Sequence, residues 1–384
     1  MARLGEFIKQ IRGVSYKPED ICDELTDESV ALLRANNIKD GRLDFQDVIY
    51  INKGRIKENQ YLCAGDILVC TSSGSKDLVG KAAFVDRNLP MAFGAFCKVI
   101  RVTSGLPQYF GHFFDSPYYR TRISEVSAGA NINNIRNEHI DELEIQMPSI
   151  PYQEHIVIIL NQVNNLIALR KQQLDKLDEL VKSRFVEMFG DPVRNTNHLP
   201  IKPLADLGRL ERGRSQHRPR NAPELLCGPY PLIQTGDISN SGLYITTYQS
   251  TYSELGLKQS KLWKAGTLCI TIAANIAQTA VLTFDACFPD SVVGFIPYDD
   301  ISPVYIHYWF TFFQRILEEQ APQVAQKNIN PKILSELNVI IPSHNEQSEF
   351  LEFVNRISIY ALTIQQGLDK MEVMKKSLMQ KYFE

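Results

Sequence analysis

Residues 131–160 read NINNIRNEHIDELEIQMPSIPYQEHIVIIL, and residues 328–354 read NINPKILSELNVIIPSHNEQSEFLEFV. Both open on Asn-Ile-Asn, pass through a short strand-like segment (LEIQMP, LNVIIP), and set a proline before a long helical stretch. From Pro148 and Pro342 onward they align without a gap at a constant offset of 194. Gln153 falls on Gln347, Asn161 on Asn355, Leu174-Asp175-Lys176 on Leu368-Asp369-Lys370, Lys182-Ser183 on Lys376-Ser377, and Phe189 on Phe383. A register held that long marks an internal duplication, which governs the fold before any local motif does.

The flanking segments repeat more loosely. LGEFIKQIRGVS (Leu4–Ser15) resembles LGRLERGRS (Leu207–Ser215), AGDILVCT (Ala64–Thr71) resembles AGTLCIT (Ala265–Thr271), and YFGHFFDSPYYR parallels YIHYWFTFFQR. Short apolar strands, turns and a few helices give each copy an α/β character. The layout is a first globular domain over 1–147, a long helix over 148–190, a linker at 191–200, a second globular domain over 201–341 and a second long helix over 342–384. The linker lies in FGDPVRNTNHLP, whose Gly, Pro and Asn interrupt regular structure.

Gln153–Phe189 holds neither proline nor glycine, as an unbroken helix requires. With Leu160 at heptad position a, that row continues through Ile167, Leu174, Val181 and Met188, and the d row holds Val163, Arg170, Leu177 and Arg184. In the second copy the d row is the stronger, with Phe350, Ile357, Ile364, Met371 and Leu378; its a row holds Val354, Ala361, Leu368, Lys375 and Tyr382. A strong a row in one copy and a strong d row in the other point to two helices pairing within one chain. The alternative is that each helix packs on its own domain. A helix of about 37 residues is roughly 55 Å long, which is the rise of roughly 16 base pairs of duplex DNA.

With 384 residues, 44% apolar and 22% charged, the chain has room for two or three ordinary cores. Its net charge of −3 disfavours indiscriminate coating of nucleic acid but leaves room for local basic surfaces. No apolar run is long enough to span a bilayer, and MARLGEFIKQIRG lacks a secretory apolar core, so a cytoplasmic location and no membrane partner are expected. The seven cysteines form no C-x-x-C and read as reduced core residues.

Several chemistries are set aside. TSSGSKDLVGKAAF (Thr71–Phe84) resembles a phosphate loop, but Gly74 is misplaced, Ala82 stands where a hydroxyl is needed, and the second copy, IAANIAQTAVLTF, has neither Gly nor Lys. Ser116-Pro117-Tyr118-Tyr119 lacks the second proline of an adenine-methyltransferase loop. No acidic-x-Lys triplet follows Pro289-Asp290, as a nuclease site would need, and the histidines show no metal spacing. No catalytic residue, metal site or bound cofactor is expected.

Two similar but diverged domains on a fixed spacer suit a bipartite target with unlike halves. RLERGRSQHRPRN (Arg209–Asn221) gathers arginines and a histidine in a Gly- and Pro-rich stretch. Arginine pairs bidentately with guanine and anchors phosphates. The DNA-contacting candidates there are Arg212, Arg214, His217, Arg218 and Arg220, matched in the first copy by Lys9, Arg12 and Lys17. The loop after Cys70 offers Thr71, Ser72, Ser73, Ser75 and Lys76; its counterpart offers Asn275 and Gln278, types that read adenine. For each, a solvated surface loop is the competing reading.

AGDILV with GSKDLVGKAAFV, SPYYRTRISEVSAGANINNI, PSIPYQEHI at the start of the first long helix and SRFVEMFGDP at its end are together similar to the specificity subunit of type I restriction-modification enzymes. The resemblance covers essentially the whole chain. It implies two target-recognition domains in inverted orientation, related by a pseudo-twofold repeat and joined by an antiparallel two-helix coiled-coil spacer. It also implies double-stranded DNA, two methyltransferase subunits and the restriction subunits as partners. S-adenosylmethionine, ATP and Mg would then be held by those partners. The second copy departs from the pattern where SHNEQSEF opens its helix. A coiled-coil adaptor that binds proteins instead of DNA is the alternative.

Overall fold

The computed structural model describes residues 1–74, 78–127, 133–273, 276–320 and 329–384. They form two compact units, one of residues 1–172 with 365–384 and one of residues 173–364.

In the first unit, Ile67–Cys70 is a wholly buried four-residue strand. It pairs antiparallel with Ala82–Phe84 on one side and Cys97–Val102 on the other, and the latter pairs antiparallel with Ile8–Arg12. Successive side chains of a strand point to opposite faces, and both faces here are covered. Ile67 and Val69 pack against Tyr109, Phe110 and Phe113 of the helix Pro107–Asp115. Leu68 and Cys70 pack with Leu33 and Phe93, which belong to a second sheet of Met91–Phe93, Ser29–Leu33, Ile49–Asn52 and Ile21–Cys22. This double burial explains why the strands read as apolar runs without alternation.

The second unit repeats the frame. Its corresponding strands run in the order Thr279–Leu282, Leu268–Thr271, Val292–Pro297, Gly208–Arg212, with Tyr244–Ile245 added in parallel at the first edge. Leu268 and Ile270 face Tyr305 and Trp309 of the helix Pro303–Gln320, while Cys269 faces Trp263 and Phe288. Ile135 and Ile329 are both buried, and their amides donate to the carbonyls of Thr71 (2.8 Å) and Ile272 (2.9 Å). Ile329 therefore answers to Ile135, not to Ile132 as the shared Asn-Ile-Asn implies; the constant offset of 194 reaches further back than the prolines.

The long helices run Ile150–Phe189 and His344–Phe383. Every a and d position read from the sequence is buried or half-buried. In the first unit, Ile156, Val157 and Leu160 share a core with Met379, Tyr382 and Phe383, and Lys171 pairs with Glu372 at 3.2 Å. In the second, Val181, Phe185 and Phe189 share a core with Phe350 and Val354, and Arg184 pairs with Glu349 at 2.7 Å. Within each unit the start of one helix meets the end of the other. The pairing is antiparallel, and the reading in which each helix packs only on its own domain fails.

Gln153 and Gln347 explain the start of these helices. Gln153 is 1% exposed; its Oε1 accepts from the Leu106 amide (3.0 Å) and its Nε2 donates to the Pro148 carbonyl (2.9 Å). Gln347, 3% exposed, accepts from the Ser302 amide (3.1 Å) and donates to the Pro342 carbonyl (3.2 Å). Leu106 and Ser302 each precede a helix that opens on proline, where amides lack intrahelical partners. The altered second opening, SHNEQSEF, keeps this glutamine, which ties the start of the helix to its domain.

Gly367 lies inside the second long helix, and an added Cβ would meet nothing within 4 Å. Gly367→Ala should stabilise the chain by about 0.5–1 kcal/mol by removing backbone freedom from the unfolded state, seen as a higher urea midpoint with an unchanged slope.

His307 is buried on the aromatic helix, with Nδ1 2.9 Å from the Thr279 hydroxyl. Burial pushes its imidazole down to about 4, against the pull of Asp178; burial also lowers His112, opposed by the hydrogen bond it donates to Asn161 Oδ1. A folded-state pKa below the unfolded one means the unfolded chain binds the proton first as pH falls. The stability tied to neutral His307 is complete above pH ~6.5 and is lost between ~6.5 and ~4, a fall of about 3 kcal/mol. Urea midpoints at pH 7 and 4.5 should show a smaller gap in His307→Gln than in the unaltered chain.

The cysteines depart from expectation. Cys70, Cys97, Cys269 and Cys287 are buried, but Cys22 and Cys63 are half-buried and Cys227 is exposed.

Candidate nucleic-acid interface

Strand pairing decides what the first domain presents. Ile8–Arg12 lies antiparallel to Cys97–Val102, setting Arg12 opposite Lys98 and Lys9 opposite Arg101. Arg101 is neutralised by buried Asp66, with Nε–Oδ1 and Nη2–Oδ2 both 2.7 Å. Arg12 is exposed, while Lys98 donates to Asn137 Oδ1 at 2.5 Å. Burial lowers the Lys98 ammonium from its usual value, opposed by Asp141 and Glu138.

Arg12, Ser72, Phe96, Lys98 and Arg136 line one open cleft of about 590 Å³ in this domain. Thr71 is also there but is 3% exposed, and its hydroxyl donates to the Phe96 carbonyl (3.2 Å). Its side chain holds the loop in place and does not present a free hydroxyl. Ser72 and Ser73 form a short strand paired with Asn134 and Asn133. Lys9 is exposed on its strand but does not line the cleft, and exposed Lys17 pairs with Glu19 at 3.3 Å. Ser75 and Lys76 lie outside the described residues. Lys98 and Arg136 were not singled out from the sequence. The one local signal was a lysine interrupting the apolar run CKVIRV.

In the second domain the arginine stretch is partly strand, since Gly208–Arg212 continues the ladder. Arg212 donates from Nε to the Asp290 carbonyl (2.5 Å), while Arg218 and Arg220 pair with the Asp290 carboxylate at 3.5 and 2.6 Å. Three guanidinium groups thus gather on one aspartate, leaving excess positive charge. Arg214 lies 3.7 Å from Glu211, whose carboxyl is held below its usual value by the Lys261 hydrogen bond. His217 Nδ1 is 3.3 Å from the Pro219 carbonyl. Gln278 is half-buried, with its backbone bonded to Thr271; Asn275 is outside the described residues.

The two sites share one construction. Arg12 and Arg212 each end the corresponding strand and precede a glycine, and a Cβ on Gly13 or Gly213 would overlap the carbonyl oxygen of Gly94 or Pro289. A loop therefore crosses the strand end at van der Waals contact in both copies. In the first it is Gly94-Ala95-Phe96, in the second Pro289-Asp290-Ser291.

Comparison with known proteins names this arrangement. The family described as type I restriction modification DNA specificity domain matches residues 2–179 and again residues 201–370. The chain belongs to the type I specificity family. The EcoKI specificity subunit of Escherichia coli K12 is 27% identical to this specificity chain, over 94% of its length and 82% of the relative's. The StySPI specificity subunit of Salmonella potsdam is 38% identical over 45% of the chain, which spans 37% of that relative. A solved type I specificity subunit from M. genitalium superposes with a TM-score of 0.53 at 14% identity, covering all of this chain and 95% of that one. A chain from a solved type I restriction-modification assembly gives 0.50 at 15% identity, covering 100% and 99%. The likeness to these structures bears on the fold, which is α/β with two similar domains and long paired helices.

Two of the motifs set aside as catalytic have structural roles in this specificity chain. Ser116 is buried between two helices, donating to the Phe113 carbonyl (2.6 Å) and accepting from the Tyr119 amide (3.2 Å). Pro289-Asp290 closes over Gly213 and gathers arginines. Among the described residues no helix is long and apolar enough to cross a membrane.

Proposed function

We propose that this chain is the non-catalytic, DNA-reading subunit of a type I restriction-modification assembly, and that its two domains read two unlike blocks of one bipartite duplex target. One observation carries the reading. The same strand end and crossing loop occur in both domains, but the loop chemistry differs, with Phe96 beside Lys98 and Arg136 in one and an arginine cluster on Asp290 in the other. A shared frame with divergent loops gives similar docking on DNA and different base preference.

Arg12, Lys98 and Arg136 contact the first block, together with Ser72 and the neighbouring loop; Arg212, Arg214, Arg218, Arg220 and His217 contact the second, with Asn275 and Gln278 beside them. Two methyltransferase subunits and the restriction subunits dock on the chain and hold the S-adenosylmethionine, ATP and Mg it does not bind, in the cytoplasm. Exposed Ile359, Leu362 and Val373 on the second long helix favour a protein partner there.

The test is selection of randomised duplex DNA by the chain assembled with its methyltransferase, at fixed moderate salt because phosphate contacts are salt-dependent. Two short unlike blocks at a constant gap are expected, and exchanging residues 1–147 for another family member's domain should change one block alone. Recovery of no motif by an intact assembly would favour the protein adaptor.

A further inference from the structure

We propose that Phe96 is an apolar wedge that enters the duplex at a base step within the block read by the first domain. The proposal rests on the chain being a DNA reader. Phe96 is 71% exposed at the turn between Met91–Phe93 and Cys97–Val102. A single exposed aromatic is ordinary on a protein surface, but the backbone that holds this one is not free. The Phe96 carbonyl accepts from the Thr71 amide (2.9 Å), the Ser72 amide (3.1 Å) and the Thr71 hydroxyl (3.2 Å). Ala95 donates to the Val14 carbonyl (2.9 Å) and Cys97 to the Gly94 carbonyl (2.8 Å). The turn is tied on three sides, and the ring belongs to none of the apolar clusters of the domain.

The surroundings fit a polyanion more than a protein. Arg12, Lys98 and Arg136 line the same cleft, with Glu138 as a carboxylate at its edge. Cations that grip phosphates on either side of a fixed ring would press it against the base stack. Apolar side chains inserted between base pairs partly unstack them and kink the duplex, most easily at pyrimidine–purine steps. Register places Ser291 where the first domain has Phe96, because both residues immediately precede the strand that pairs with the arginine-bearing one. The wedge is therefore confined to one block, and the two halves of the target are read by different physics.

The test uses the full chain assembled with its methyltransferase, on the selected bipartite duplex carrying 2-aminopurine at each position in turn. A fluorescence rise at one step of one block is expected. Phe96→Ala should abolish it and weaken specific binding about 10- to 100-fold, while Phe96→Leu keeps most of both. Unchanged fluorescence and affinity in Phe96→Ala overturns the proposal. So does a loss of assembly with the methyltransferase at unchanged DNA affinity, which would make Phe96 a protein contact. Failure of the unaltered assembly to select any bipartite sequence removes the DNA-reading function, and the wedge with it.

Discussion

Phe383→Ala is expected to lower the stability of the chain by about 3–5 kcal/mol, the cost of emptying a well-packed aromatic site. The ring is fully buried, with its centroid 5.2 Å from Tyr109 and 5.9 Å from Phe113. Tyr109 is itself fixed by its hydroxyl on the Gln146 carbonyl (2.7 Å), so it cannot swing into the space left. Phe189, the duplicate of Phe383, sits in the same way 5.3 Å from Tyr305 and 5.5 Å from Phe350. Denaturant unfolding gives the loss, and hydrogen exchange locates it. Protection should fall first in the helix Pro107–Asp115. A change below about 1 kcal/mol would mean that the helix end frays at little cost and that the aromatic contact is incidental.

Removing the arginine cluster should have the larger functional effect. In the assembled complex, Arg212→Ala, Arg218→Ala and Arg220→Ala together are expected to cost at least about 100-fold in affinity for the selected target, since each bidentate base contact is worth about 1–3 kcal/mol. The slope of log affinity against log salt should become shallower by about 2–3 if the three groups sit on phosphates. The two readouts separate base contact from phosphate contact. Selection by this variant should recover the block of the first domain and blur that of the second. Both blocks recovered at full strength with an unchanged salt slope would leave the arginines as a structural knot around Asp290. Folding should survive, because the three side chains are exposed.

The duplication, the long helices and the α/β character were legible because each is written in local spacing. Heptad rows at Leu160 and Phe350, apolar runs such as ILVC and a constant offset need no knowledge of distant contacts. The Asn-Ile-Asn match misled by three residues because identity of letters is weaker than the hydrogen bond that Ile135 and Ile329 share in role. The interface was legible only in part. Arg12, Lys98 and Arg136 meet through sheet pairing and a loop crossing, which no short window contains. Likewise the arginine stretch is visible in sequence, but the aspartate that gathers it is 78 residues from Arg212. Thr71 was misjudged because a hydroxyl beside a strand end can turn inward to a carbonyl as easily as outward to solvent.

The unit that holds Phe96 is discontinuous in the chain, being built from residues 1–172 and closed by 365–384, whereas residues 173–364 complete the other without help. On the ribosome, the portion made first is therefore the one finished second. Until Met379, Tyr382 and Phe383 emerge, Ile156, Val157, Leu160 and the ring of Tyr109 lack part of their cover. Closing so long a loop adds only a few kcal/mol of entropy, which grows slowly with length, but it delays the first half and leaves apolar surface open to association meanwhile. Nascent chains halted before residue 365 should show a protease-resistant second unit and a first unit that remains cleavable.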